Sequence, residues 1–150
     1  MIQPTFRHFR KPNRHHLRTT YENKSSHLCF GTHGIQAVES GFLTAHQIEA
    51  VRRTIAGRLK RKVKIWIRAY PDASRTAKPK EVRRGRGKGN HSYWYCAVKP
   101  GRMLFEIKVS HRYAAIVRPA LLFVTRKFPR FVQIVERNLH FFSIFIIKFY

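Results

Sequence analysis

Between Thr44 and Tyr70 the apolar residues change their period. In "TAHQIEAVRRTIAGRLKRK", residues 44–62, Ile48, Val51, Ile55 and Leu59 recur every three or four positions, which gathers them on one stripe of an α-helix. In "KVKIWIRAY", residues 62–70, Val63, Ile65, Ile67 and Ala69 alternate with Lys64, Trp66, Arg68 and Tyr70, the pattern of a half-buried strand. A helix followed by such a strand makes the middle of the chain read as a compact mixed domain of helix and strands. Thr44 is placed to cap the helix, and Gln47 stands where a capping box needs it. Arg53, Lys60 and Arg61 fall off the apolar stripe and are free to meet a partner. Cations in the last turn also suit the helix dipole.

The flanking segments are shorter and less regular. "HLCFGTHGIQAV", residues 27–38, reads as two short strands around Gly31 and Gly34. "YPDASRTAKPKE" reads as a turn-rich excursion. "SYWYCAVKPGRMLFEI", residues 92–107, reads as a hairpin whose turn is set by Pro100-Gly101. Trp66 and Tyr70 flank Arg68 and have the chemistry to stack on bases, but packing beneath neighbouring loops is the simpler reading. Cys29 and Cys96 are isolated, without a Cys-x-x-Cys pair, and read as small buried hydrophobes in a reducing compartment.

Charge then narrows the function. The chain carries 31 Lys and Arg against 7 Asp and Glu, a formal net charge of +24. A domain this basic repels itself unless a polyanion neutralises it. The cations also fall in blocks rather than alternating with acids. Residues 1–27 hold Arg7, Arg10, Lys11, Arg14, Arg18 and Lys24 against Glu22 alone, and residues 52–64 hold Arg52, Arg53, Arg58, Lys60, Arg61, Lys62 and Lys64 with no acid. The third block is "EVRRGRGKGNHSYW", residues 81–94. A P-loop would need Ser or Thr after Gly87-Lys88, and Gly89 stands there instead; Gly85, Gly87 and Gly89 are too evenly spaced for a dinucleotide fingerprint. What remains is a cationic loop, Arg83, Arg84, Arg86 and Lys88 among glycines that let backbone approach a surface. Three basic blocks separated by apolar segments are the footprint of a nucleic-acid binder.

Enzyme chemistry finds no foothold. Glu22, Glu39, Glu49, Asp72, Glu81, Glu106 and Glu136 are scattered, with no pair at a catalytic spacing. His15-His16 lack a Cys or carboxylate at ligand spacing, so no metal, cofactor or small-molecule substrate is expected. The organisation expected is a basic arm over 1–27 that orders on its partner, a mixed domain over 28–136 with the glycine loop at 81–91, and an apolar extension over 137–150. The run "NLHFFSIFIIKFY" is too short for a bilayer span, which needs about 20 residues. It is expected to pack on neighbouring proteins.

Several long stretches carry a resemblance. "MIQPTFRHFRKPNR", "TAHQIEAVRR", "KIWIRAYPD" and "KPKEVRRGRGKGNHSYWYCAVKPGRMLFE" resemble the bacterial-type large-subunit ribosomal protein L-sixteen family, nearly continuously from Met1 to Glu106. "IVRPALLFVTRKFPRFVQIV" fits the family's last helix and strand more loosely. The resemblance implies a hammerhead-type α+β fold and a structural role in the large ribosomal subunit. It implies as partners large-subunit rRNA, tRNA near the peptidyl-transferase region, and neighbouring ribosomal proteins. Carried over by position, the contacts are the arm (Arg7, Arg10, Lys11, Arg14) and the loop Arg83, Arg84, Gly85, Arg86, Gly87, Lys88 and Gly89. The basic helix adds Arg52, Arg53, Arg58, Arg61 and Lys62. Arg84 stands where the family commonly has methionine, and "KVSHRY" after Ile107 departs from the family pattern. Pro119 either kinks its helix or opens it in the first turn. A family-like start, raised charge and an AT-biased tail suggest an organelle-encoded mitochondrial copy. The competing class is a free-standing RNA-binding protein or RNA chaperone.

Overall fold

Thr44 ends a short strand and starts the long helix. In this computed structural model, which describes residues 2–5, 11, 13, 16–83, 85, 87–110 and 113–137, the Thr44 hydroxyl accepts from the Gln47 amide at 3.2 Å. The Gln47 side chain accepts from the Thr44 amide at 2.9 Å. The capping box is complete, and the helix α1 runs over Ala45–Arg58. Ile48, Val51 and Ile55 are fully buried, and Leu59 follows just past the helix end. Each such side chain contributes about 2 kcal/mol relative to exposure.

Among the described residues seven strands make two antiparallel sheets. They are β1 (His33–Ala37), β2 (Gly41–Thr44), β3 (Lys64–Ile67), β4 (Ala73–Ala77), β5 (Asn90–Val98), β6 (Met103–Lys108) and β7 (Val132–Glu136). The larger sheet has the order β3-β6-β1-β7 and the smaller β2-β5-β4. A second helix, α2 (Ala114–Thr125), packs beside α1 and against β7. Ile35, Phe105 and Ile107 of the larger sheet meet Ile48, Val51 and Ile55 of α1 and Val117, Leu121 and Val124 of α2 in one core. Two helices on antiparallel sheets make the fold α+β, as the resemblance implied.

The opposite face of the larger sheet is covered by the chain before β1. Gln36, buried on that face, donates to the carbonyls of Ser26 (3.1 Å) and Gly101 (2.6 Å). The Glu22 amide donates to the Pro100 carbonyl and the Met103 amide to the Ser25 carbonyl. The alternation read in residues 62–70 is present: Ile65 and Ile67 pack on the core, while Trp66 stacks with Phe30 at 5.8 Å between ring centroids.

Four expectations need correcting, and of the two places open to Pro119 one falls away. Residues 27–38 hold one strand, β1, because the amides of Cys29, Phe30 and Gly31 turn onto the Glu106 carboxylate and leave no ladder to form. The excursion after Tyr70 contains β4, whose register with β5 pairs Ala73 with Tyr95 and Ala77 with Asn90. β5 and β6 are not a hairpin. The Pro100-Gly101 turn forms, with Gly101 at φ +83°, but each strand already has both edges occupied within its own sheet. Cys96 is buried, and burial pushes its thiol pKa up, whereas Cys29 is exposed. Pro119 lies inside α2, past its first turn; the Ala115 carbonyl that loses its partner belongs to an exposed residue and can turn to water.

Candidate nucleic-acid interface

The glycine loop caps a true hairpin. Ala77 and Asn90 are the last paired residues of β4 and β5, so the described residues between them, 78–83, 85 and 87–89, project beyond the sheet. Gly85 and Gly87 have φ of +106° and +86°, and a Cβ at either would meet nothing within 4 Å. Their hydrogen side chains serve the backbone angle, not a tight contact. Gly89 differs, because a Cβ there would run into the Ala77 carbonyl across the hairpin root. Lys78, which sequence reasoning did not single out, donates its ammonium to the Gly85 carbonyl and spans the loop from its first residue. Its place in "KPK", immediately before the basic run, was the available signal.

The loop also meets the arm. Lys11 Nζ donates to the Lys88 carbonyl at 2.9 Å, which joins two basic blocks 77 residues apart in sequence. Lys78, Arg83, Gly85, Gly87, Lys88 and Asn90 line an open hollow at the hairpin tip, so its described lining offers amides and cations. Arg83 is exposed. Arg7, Arg10, Arg14, Arg84 and Arg86 lie outside the described residues.

The helix block is arranged differently. Glu49 accepts from Arg52 at 2.7 Å and from Arg53 at 2.9 Å. The hydrogen bond from Arg52 is the main cause that lowers the Glu49 pKa to about 2, so the carboxylate stays charged and offsets part of both cations. Arg58 stacks its guanidinium over Phe123 at 3.9 Å, a contact that positions the charge without neutralising it. Lys62 lies 5.5 Å from the Tyr113 ring centroid. Arg61 is exposed. Glu22, Glu39, Glu49 and Glu106 are committed to ion pairs with Lys99, Arg130, Arg52 and Arg53, and Arg68 respectively. Seven carboxylates cannot balance 31 cations, and the described surface is left strongly positive.

Arg68 and Glu106 were not legible in the sequence as a pair. Arg68 donates to Glu106 Oε1 at 2.6 Å, while Glu106 Oε2 accepts from the amides of Cys29 (3.0 Å), Phe30 (2.7 Å) and Gly31 (2.9 Å). Burial alone would raise the Glu106 pKa, but these hydrogen bonds outweigh it and hold the carboxyl below its ordinary value. This is scaffolding, not chemistry on a ligand. Among the described residues no group of three His, Cys, Asp or Glu is placed to hold a metal, and no helix is long and apolar enough to cross a membrane.

Fold and surface together define a small α+β domain that carries an uncompensated basic exterior and an open, glycine-bearing loop on a hairpin. The family model for ribosomal protein L16p/L10e matches residues 4–135, and the chain belongs to that family. It is 46% identical over 129 residues to the large ribosomal subunit protein uL16 of Buchnera aphidicola subsp. Acyrthosiphon kondoi, an alignment covering 86% of this chain and 92% of the relative. The uL16 protein of Acinetobacter baumannii (strain AYE) is 44% identical over 138 residues, 92% of this chain and 98% of that one. That of Psychrobacter cryohalolentis is 42% identical over 140 residues, 93% and 99% respectively. Residues 136–150 lie beyond the family match.

Proposed function

We propose that this chain is a structural constituent of the large ribosomal subunit, binding large-subunit rRNA through its basic surface and neighbouring ribosomal proteins beside it. Membership of the ribosomal L16p/L10e family supports the assembly. The observation that carries the site is the joined arm and loop: Lys11 on the Lys88 carbonyl brings two cationic segments together at a hairpin tip. The proposed contacts are Arg7, Arg10, Lys11 and Arg14 in the arm and residues 83–89 in the loop. From the helix block they include Arg52, Arg53, Arg58, Arg61 and Lys62. Phosphate contacts by such cations set register and affinity rather than sequence choice. The tip, with its open glycines, is the proposed point of approach to tRNA near the peptidyl-transferase region. No catalytic step is assigned to any residue.

The proposed setting is the mitochondrial ribosome, supported by the raised charge and by the Phe- and Ile-rich run 138–150. A tagged copy should cosediment with mitochondrial large subunits and stay bound through a high-salt wash. Release into the soluble fraction by the wash would favour a free-standing RNA-binding protein or chaperone instead. Cosedimentation with the subunits of another compartment would retain the ribosomal assignment and overturn the mitochondrial one.

A further inference from the structure

The larger sheet has two edge strands, β3 and β7, and they are finished differently. β3 begins on Lys64, which is exposed, and a charge on an edge discourages further pairing. β7 runs Val-Gln-Ile-Val before its one charge, Glu136. On the side of β7 away from β1 no strand is paired among the described residues. Ile134 lies directly opposite Ile35, so it and Val132 share the core face of the sheet. Ile35 is fully buried, whereas Val132 and Ile134 are only half-buried. The core is left partly uncovered along this edge.

A second apolar feature continues the same edge. Phe131, the residue before β7, is 65% exposed and Val38 is 47% exposed. The Val38 amide donates to the Phe131 carbonyl at 3.1 Å, which holds the two together. Phe42, Phe128, Phe131 and Val132 line a small hollow at this end of the strand. The chain itself supplies a matching segment. β7 ends at Glu136, and the sequence continues into "NLHFFSIFIIKFY", residues 138–150, which lie outside the described residues. From Asn138 to Ile147 it holds no Asp, Glu, Lys or Arg, and its Phe and Ile favour strands. Its length also fits. A reversal of about three residues, led by Asn138, leaves Phe141 onwards to run back along β7. Residues 141–147 then cover about 24 Å, against about 17 Å for β7 itself, so the return reaches Phe131 and the hollow.

We infer that residues 141–147 pair antiparallel with the open edge of β7 as an added strand and end at the Phe131 hollow. A turn over 138–140 sets Ile144 opposite Ile134 and Ile146 opposite Val132. Residues directly opposite share a face in an antiparallel pair, so Phe142, Ile144 and Ile146 extend the uncovered core face while Ser143 falls on the other side. The occupant of this edge is therefore part of the same chain, not a neighbouring ribosomal protein. The family match stops at residue 135, so the added strand lies beyond the part of the chain that the family accounts for. The inference stands apart from the RNA-binding reading.

The test is amide hydrogen exchange on the full chain, without RNA and at high salt. Alternate amides of 141–147 and the β7 amides facing them should exchange about 100-fold or more slowly than in an unstructured peptide. Ile144→Pro/Phe145→Pro is the comparison: successive amides of a strand point to opposite sides, so one of the two prolines removes a donor to β7. That variant should release both sets of amides and leave those bonded to β1 protected. In a Cys29→Ala/Cys96→Ala background, Val135→Cys/Ser143→Cys should close a disulfide within one molecule in air, since opposite residues bring their Cβ atoms near enough. Wild-type tail amides exchanging at the free-peptide rate, beside an unprotected β7 edge, overturn the inference. Disulfides formed only between molecules overturn it in favour of a second copy. Tail protection that appears only in assembled subunits, or only with phosphatidylcholine vesicles, overturns it in favour of a protein neighbour or a lipid surface.

Discussion

Glu106 is the residue on which the second face of the larger sheet depends. It is fully buried and accepts from Arg68 and from three consecutive amides. Replacing it with glutamine leaves the Arg68 charge without a carboxylate in a largely desolvated place, and it puts an amide group where acceptors are needed. Loss of one partner of a buried pair costs about 3 kcal/mol, so Glu106→Gln should lower the melting temperature by about 10 °C in a chain of this size. The sign with pH follows from the depressed carboxyl. Its contribution is complete above the ordinary value of 4.5 and is lost as pH falls below it through the lower folded value. The gap between wild type and Glu106→Gln should therefore be full at neutral pH and narrow as pH falls below about 4.5, read by thermal melting across a pH series. A gap that widens in acid would mean that the hydrogen bonds do not govern the charge of Glu106.

At the scale of elements, the glycine hairpin separates two roles that look alike in sequence. Gly87 points into open space with φ +86°, while a side chain at Gly89 would strike the Ala77 carbonyl at the root of the β4–β5 pair. Gly89→Val should cost about 2 kcal/mol, the range of overpacked sites. Gly87→Val should leave the melting temperature of the sheet nearly unchanged, because its strain is confined to residues outside the ladder. Equal destabilisation by the two would mean that the tip is packed like the root. Element scale is also where the sequence speaks unevenly. α1 announces itself because its cap, Thr44 and Gln47, and its apolar stripe are all local. β4 does not, since Ala-Ser-Arg-Thr-Ala has no apolar alternation and is a strand only because β5 lies beside it. β5 and β6 mimic a hairpin because a Pro-Gly turn joins them, yet each pairs instead with strands earlier in the chain, β5 with β2 and β4 and β6 with β1 and β3. Arg68 and Glu106 meet for the same reason: the β3–β6 register sets Trp66 opposite Glu106, and no spacing within the chain foretells a register. The loop and helix cations were legible because charge blocks need no fold to be seen. Lys78 needed the backbone.

Across the whole molecule, the sheets and helices make a scaffold on which the glycine hairpin projects apart from the core. The core under α1 and α2 and the buried Glu106 side are independent of the hairpin tip, which touches the arm through Lys11 and Lys88. If rRNA binding is spread over the cations of helix and arm, as proposed, it should therefore survive a change at the tip. Gly87→Val keeps every one of those cations and alters only the path of the loop backbone, where a β-branched residue at positive φ is strongly disfavoured. Large subunits carrying Gly87→Val should assemble with near-normal gradient profiles, while peptide-bond formation on the same particles slows and tRNA positioning is disturbed. The two measurements must be made on one preparation, since a fall in subunit number alone would also lower total synthesis. If assembly fails and the few completed particles work at the wild-type rate, the loop is a scaffold contact to rRNA and the tRNA approach proposed for the tip is wrong.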